Sequence, residues 1–430
     1  MKKLLTLTAA STVLLSANAM AAGFHLREQS TAAQGNAFAG ATAGAEDNTY
    51  SYYNAAGLTR HTGTQFSFGG TYIAPKAEAK QVSSQNGQRD ADVQNVVHSA
   101  VSPNFTLSHQ LNDKWFVALA GNSPFGMITK YDKDWVGSDH GITSDVKTAT
   151  ISPMAAYKVT DKLSFGTGIQ AQYLWAHLTN SHKTSHTAHV NSNGHAWDFG
   201  YQLGMLYELN KDTRFGVGYR SEIKHKIKGT MRSSGSALSG SPDPRIAASG
   251  MGADVLMNQE ISVKLTTPSM LSFGAYHNIN DRWSVMAEYQ RVFWSSLQNL
   301  TFVSRDGKNV PGLGYVSKIN ESWRDTNFFA VGTSVKLDDQ WKWRLGLAYD
   351  QSAVRYAHRT PRVPDSDRYW VSTGLSYQYN DNLSFSAAYT HIFAKSAMLD
   401  TSLTGNAGEN VTAKYSNSVQ VFALGVTYNF

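Results

Sequence analysis

Near its C-terminal end the chain sets Phe422, Leu424, Val426, Tyr428 and Phe430 on one parity, with Ala423, Gly425, Thr427 and Asn429 on the other. Successive side chains of a β-strand point to opposite faces, so this is a strand with one apolar face and one small or polar face. The same rhythm recurs at Phe66, Phe68 and Tyr72, and again at Trp115, Val117 and Leu119. Leu163 to Tyr173, Trp197 to Met205, Phe215 to Tyr219 and Trp341 to Tyr349 repeat it. About fourteen such strands fit between Thr64 and Phe430, an even number as bacterial transmembrane barrels require.

The connections give the strands a direction. Short turns fall at Asn112-Asp113, Thr160-Asp161, Asn210 to Asp212, Asn280-Asp281, Asp338-Asp339 and Asn380-Asp381. Asn and Asp suit tight turns because their side chains bond to nearby backbone and tolerate left-handed conformations. Long polar connections alternate with them, at Pro75 to His98, Pro124 to Ser144, Thr179 to His195 and Gly229 to Asn258. Three more run at Ser304 to Glu321, Gln351 to Asp367 and Lys395 to Tyr415. Short turns on one end and long loops on the other match periplasmic turns and extracellular loops. The pattern therefore predicts an all-β transmembrane antiparallel barrel spanning 64–430.

The N-terminus carries a different signal. Lys2 and Lys3 precede an apolar run from Leu4 to Leu15, and Ala17, Ala19, Ala21 and Ala22 follow. That layout is a secretory signal peptide, 1–21, with cleavage after Ala21. The apolar run is too short to span a bilayer, which takes about 20 residues. Residues 22–63 lack period-two alternation yet carry Phe24, Phe38, Tyr50, Tyr52, Tyr53 and Leu58, apolar surface that asks to be buried. They are expected to form a hatch inside the lumen, which has room for it in a barrel of this size.

Composition narrows the chemistry. There is no cysteine, so no disulfide, thiol nucleophile or cysteine-ligated metal is available. The formal charge is +6, of which Lys2 and Lys3 supply two, and no basic run concentrates it, which argues against nucleic acid. A mild positive balance suits lipopolysaccharide phosphates or anionic ligands. Ser and His are plentiful, but no motif singles out a catalytic trio, so no enzyme is read here. His182, His186, His189 and His195 crowd the third loop without a flanking carboxylate or cysteine, and no metal site or cofactor is assigned. A general diffusion porin remains the other class.

Several long segments resemble one family. AGFHLREQS (Ala22 to Ser30), YELNKDTRFGVGYRSEIKHKIKG (Tyr207 to Gly229) and PDSDRYWVSTGLSYQYN (Pro364 to Asn380) are similar to the FadL/TodX family of outer-membrane transporters for long-chain fatty acids and other hydrophobic compounds. The likeness covers essentially the whole mature chain. It implies a fourteen-stranded barrel, with ligand caught between loops, passed to a luminal site and released sideways at a kinked third strand; apart from it, the aromatic Phe430 resembles the signal read by the barrel assembly machinery, and a monomer is expected. It places Phe24 in the luminal site and Asn54-Ala55-Ala56 where the family has Asn-Pro-Ala in its hatch. Gly121, Asn122, Pro124 and Gly126 fall at the kink, and Pro without an amide donor suits a broken ladder. It places Arg324 near a ligand carboxylate, and parity puts Arg324 on the inward face with Ala330, Gly332 and Ser334.

Parity also turns Asp350, Arg344, Arg368 and Trp370 inward. Leu174, Ala176, Leu178, Phe328 and Ile392 are apolar side chains on inward positions and read as ligand lining. The third loop is short and polar beside that of the fatty-acid members, while the fourth keeps Leu238, Ile246, Met251 and Val255 to Met257. Fatty acids are the expected cargo, with aromatic hydrocarbons left open.

Overall fold

The computed structural model describes residues 23–87, 89–90, 92–183, 187–234, 258–309, 314–406 and 408–430. The expected signal peptide, the fourth loop's apolar residues and the side chains of His182 and His186 lie outside them.

A single antiparallel sheet closes on itself, because Gln65 to Ser84 of the first strand pair with Asn429 to Val411 of the last. The first six strands are Thr64–Ser84, Ala100–Gln110, Trp115–Asn122 continued by Gly126–Lys130, Thr143–Lys158, Leu163–Lys183 and Thr187–Glu208. Thr213–Arg220 with Ile223–Ser234, Gln259–Thr267 with Met270–Asn278, and Trp283–Val292 with Asn299–Ser304 are the seventh to ninth. Ser317–Asn320 with Thr326–Lys336 is the tenth, followed by Trp341–Asp350 and Arg368–Gln378. Leu383–Ala394 with Ala397–Asp400, and Val411–Asn429, make fourteen.

The apolar parity faces outward. Phe199 and Leu424 are each 70% exposed, whereas Val421 and Ser372, on the other parity of their strands, are buried. In water such a surface would be a liability, and in a bilayer it is the contact face. At the narrow turns one side chain organises each reversal. Asn112 Oδ1 accepts from the amides of Lys114 and Trp115, both at 3.0 Å, and Asn210, Asn280, Asp338 and Asn380 repeat the arrangement.

The opposite end corrects the loop limits read from sequence. Leu163–Lys183 and Thr187–Glu208 form one hairpin paired from Leu163↔Tyr207 to Lys183↔Thr187. Thr179 to His195 is therefore mostly strand, with His195 exposed on its outer face. Pro75 to Ser84 and Gly229 to Ser234 are strand as well. About 10 residues suffice to cross a bilayer as a tilted strand, so these long strands run well past it, and their polar ends look like loop in sequence.

Residues 23–60 lie against the inner face of the barrel and are almost wholly buried. Short capped turns order them. Ser30 Oγ accepts from Ala33 N at 3.3 Å to start the helix Thr31–Gly35. Asp47 and Asn54 cap the short 3-10 helices Asn48–Tyr52 and Ala55–Arg60. Barrel side chains then tie down the backbone ends such a segment leaves unpaired. Arg214 donates to the carbonyls of Ala43 (2.7 Å) and Gly44 (2.5 Å), Arg220 to Tyr52 (3.0 Å), and Glu288 accepts from Thr42 N (3.1 Å). Glu46 bonds Arg344 at 2.6 Å and Lys342 at 3.1 Å, and these two cations hold its carboxyl well below the usual range despite burial. Glycine at Gly204 and Gly346 lets Asn54 and Asn36 press against the wall, where any Cβ would collide.

Candidate functional site: a caged aromatic beside a break in the wall

The third strand changes course at Asn122. Up to there it pairs with both neighbours, ending at Phe105↔Gly121 on one side and Asn122↔Thr150 on the other. It resumes with the fourth strand at Gly126↔Lys147, so four steps along the third strand oppose three along the fourth. One extra residue of this kind is a β-bulge, which bends the strand that carries it. Beyond the bulge Gly126–Lys130 forms no ladder with the second strand, and among the described residues only the bridge Val97↔Thr129 and the bond from Lys130 N to Val96 O (2.8 Å) tie it to the segment that leads into that strand. Ala100 to Asn104 accordingly pair with the first strand alone. The wall is open there, at the level of the exposed Phe68 and Tyr72.

The N-terminal segment stops this opening from inside. Gly126 N donates to Phe24 O at 2.9 Å and Leu26 N to Pro124 O at 2.8 Å, so Phe24 to Leu26 acts as a short added strand on the bulge. Gln29 Nε2 donates to Ser123 O (2.9 Å), while Gln29 Oε1 accepts from Ser123 N (3.2 Å) and Asn122 Nδ2 (3.3 Å). Gly121, Asn122, Pro124 and Gly126 thus sit around the break, and no sequence pattern announced the strand that seals it.

Phe24 joins that seal to a cavity. Its ring lies 5.0 Å from Trp294, 5.7 Å from Phe125 and 5.8 Å from Trp323. Burying a Phe side chain is worth about 1.5–3 kcal/mol, and the edge-on rings add to that. Gly23 takes φ +68°, and a Cβ there would strike Trp323 and Trp294, so the position requires glycine on both counts. The cavity beside Phe24 has a volume of about 70 Å³ and is apolar, with Val146, Leu178, Ile227, Ile261 and Phe302 in its walls. Arg362 closes its extracellular end. A second cavity of about 80 Å³ shares Leu178, Ser192, Phe302 and Arg362, and adds polar Asp139, His140, Asn180 and Lys318. Arg362 therefore stands between an apolar and a polar space.

Its guanidinium is buried. Nη1 donates to Thr143 O (3.0 Å) and Ser144 Oγ (2.9 Å), and Nε has no hydrogen-bond partner among the described residues. Burial lowers it to about 10, which leaves it cationic at neutral pH. Glu321 also lines the cavity, accepting from Trp323 Nε1 at 3.0 Å, and burial pushes its carboxyl up to about 7.

Of the residues read from sequence, Phe24, Ala176 and Leu178 line this cavity, and Leu174 is fully buried in the cluster around it. Arg324 does not reach it. Parity fails because the ladder of the tenth strand is interrupted between Asn320 and Thr326, with Ser322 at φ +45°. Arg324 instead points to the rim, 41% exposed and 4.0 Å from Asp367, its Nε donating to Ser352 O at 3.1 Å. Asp350, Trp370 and Phe328 are inward as expected but face the N-terminal segment rather than the cavity. Asp350 pairs with Arg27 at 3.4 Å, and Trp370 packs on Phe38 and Phe328, each at 6.1 Å. Asn54 caps its turn through Ala56 N (3.0 Å) and donates to Thr42 O and Met205 O, with Ala55 and Ala56 against the wall at Gly166. Arg362 was missed because it comes from an irregular loop, where a two-residue rhythm carries no information.

Residues 12–430 match the family model described as outer membrane protein transport protein (OMPP1/FadL/TodX). The chain belongs to the OMPP1/FadL/TodX family. This member is 30% identical over 412 residues to a long-chain fatty acid transport protein of Escherichia coli, covering 89% of this chain and 90% of that one. It is 28% identical to outer membrane protein P1 of Haemophilus influenzae over 99% of each chain. The crystal structure of a Pseudomonas aeruginosa FadL homologue superposes with a TM-score of 0.86 at 25% identity, covering 95% of this chain and 100% of the other. The fold is also that of the Ralstonia pickettii toluene transporter TbuX, at a TM-score of 0.66 and 20% identity over 95% and 99% of the chains. This family member is thus an outer-membrane barrel that transports hydrophobic compounds.

Proposed function

We propose that the chain takes up long-chain fatty acids, binding the alkyl tail beside Phe24 and the carboxylate at Arg362, and releases them sideways between the second and third strands. The observation that carries this reading is Arg362, a buried cation whose Nε has no hydrogen-bond partner among the described residues, at the polar end of a largely apolar cavity that it shares with Glu321. Buried charges are costly unless paired, and an anionic headgroup would supply the missing partner. The tail gains about 0.8 kcal/mol per methylene buried. Entry of the tail displaces Phe24, which draws on the same backbone that seals the bulge, so binding and opening share one lever. The segment filling the bore argues against an open diffusion pore.

A second cargo is favoured by a separate observation. The small volume and the cage of Phe24, Phe125, Trp294 and Trp323 suit a monoaromatic hydrocarbon, which needs no cation. Binding of oleate and toluene to Arg362→Ala separates the two. A roughly ten- to hundredfold loss for oleate with toluene unchanged supports the carboxylate role. Equal retention of both would remove it. Arg324→Ala, at the rim, should leave both within about twofold.

A further inference from the structure

On the outer face, just beyond the aromatic residues on the extracellular side, Lys224, Lys226 and Lys228 follow one another at every second position of the strand Ile223–Ser234. All three are exposed. Lys264 on the next strand stands directly opposite Lys226, and His195 on the other side stands opposite Lys228. Like charges facing each other across a ladder destabilise the pair. Lys224 is relieved by Glu222 at 3.0 Å. Lys226, Lys228 and Lys264 have no carboxylate partner among the described residues. The near carboxylate, Asp198, turns instead to His225 Nδ1 (3.2 Å) and the Lys226 backbone amide (3.3 Å). Elsewhere on this face lysines sit against acids: Lys76 and Lys80 on Glu78, Lys147 on Asp145, and Lys395 on Asp367.

The position of the patch says what neutralises it. On the same three strands, toward the periplasm, lie Trp197, Phe199 and Tyr201, then Tyr219, then Phe273, with the Tyr201 and Tyr219 rings 5.9 Å apart. Aromatic girdles mark the membrane–water boundary of transmembrane barrels. The lysines therefore stand at the headgroup level of the outer leaflet, where the lipid is the phosphorylated glycolipid of the outer membrane. We infer that Lys226, Lys228 and Lys264 form a binding site for the phosphates of lipid A. The acyl chains of that lipid would lie on the aromatic residues below while its phosphates bridge the two facing lysines.

The probe is bis-phosphorylated lipid A added to the detergent-purified full chain, with bound lipid counted by native mass spectrometry. Dephosphorylated lipid A and phosphatidylglycerol form the parallel arms. The unaltered protein should retain the phosphorylated glycolipid, release it in high salt, and hold both other lipids more weakly. The triple variant Lys226→Gln, Lys228→Gln, Lys264→Gln should bind it about a hundredfold more weakly, given roughly fivefold per surface lysine. Lys147→Gln, whose lysine is already paired, should bind as the parent does. Substituting exposed lysines leaves the barrel ladder intact, which an unchanged thermal melt verifies. Equal binding of phosphorylated and dephosphorylated lipid A would overturn the site. So would phosphatidylglycerol binding as tightly as lipid A, or a triple variant indistinguishable from the parent.

Discussion

The two ends of the bore differ in size and in chemistry. Beside Phe24 the space is about 70 Å³ and walled by aliphatic and aromatic side chains. On the periplasmic side of the N-terminal segment a vestibule of about 800 Å³ is lined by Glu46, Arg60, Asp212, Arg214, Lys336 and Lys342. The larger space is the poorer route for a greasy ligand, because every methylene moved from the first to the second returns to a polar, wet surface. A molecule selected by the upper cavity has no reason to descend, whereas the break beside Phe24 faces lipid. Width does not identify the pathway; polarity does.

Removing the ring that joins cavity to seal should give the largest effect. Phe24→Ala deletes a caged aromatic, worth about 3–5 kcal/mol. Hydrogen exchange of the Leu26 and Gly126 amides should speed up by two orders of magnitude or more, with turn amides such as Lys114 unchanged. Unaltered exchange would break the link between cavity and wall. Glu321 sharpens the electrostatics of the upper space. Its carboxyl is raised from an ordinary 4.5 to about 7 by burial, so ionising it costs the folded state. Stability should be full at pH 4 and decline as pH rises from about 4.5 to 7, and Glu321→Gln should flatten that decline in urea titrations. Oleate affinity should likewise fall several-fold between pH 6 and 8, as a second anion appears near Arg362, and should not in the Gln variant. At the other end Lys336→Ala, in the vestibule, should change oleate uptake by less than about twofold. A large loss there would show that cargo passes through the polar route after all.

Much of this was legible in sequence wherever one face met lipid. The parity of Phe422 to Phe430 and the Asn and Asp turns follow from local rules that the closed sheet does not override. Pro124 and Gly126 marked the break for a similar reason, since neither supports a regular ladder. The site was harder to read. Arg324 looked inward because parity was extended through residues 321–325, where the strand is interrupted. Arg362 sits in a loop whose path is set by packing against Thr143, Ser144 and Thr129, contacts more than 180 residues away in sequence. Inward charge also proved ambiguous. Arg344 and Asp350 serve to hold the N-terminal segment, and the alternation that turns a residue inward cannot tell a plug contact from a ligand contact.

The sideways release proposed above depends on the one extra residue that separates Asn122↔Thr150 from Gly126↔Lys147. Deleting Pro124 alone equalises the two strands and lets the third continue along the second without changing which side chains point inward beyond it. The direct measurement is uptake of labelled oleate by cells producing this deletion, alongside oleate binding to the purified variant. Release through the wall predicts that binding persists while uptake falls to the level of cells lacking the protein. Uptake at the parental rate with the gap closed would contradict it.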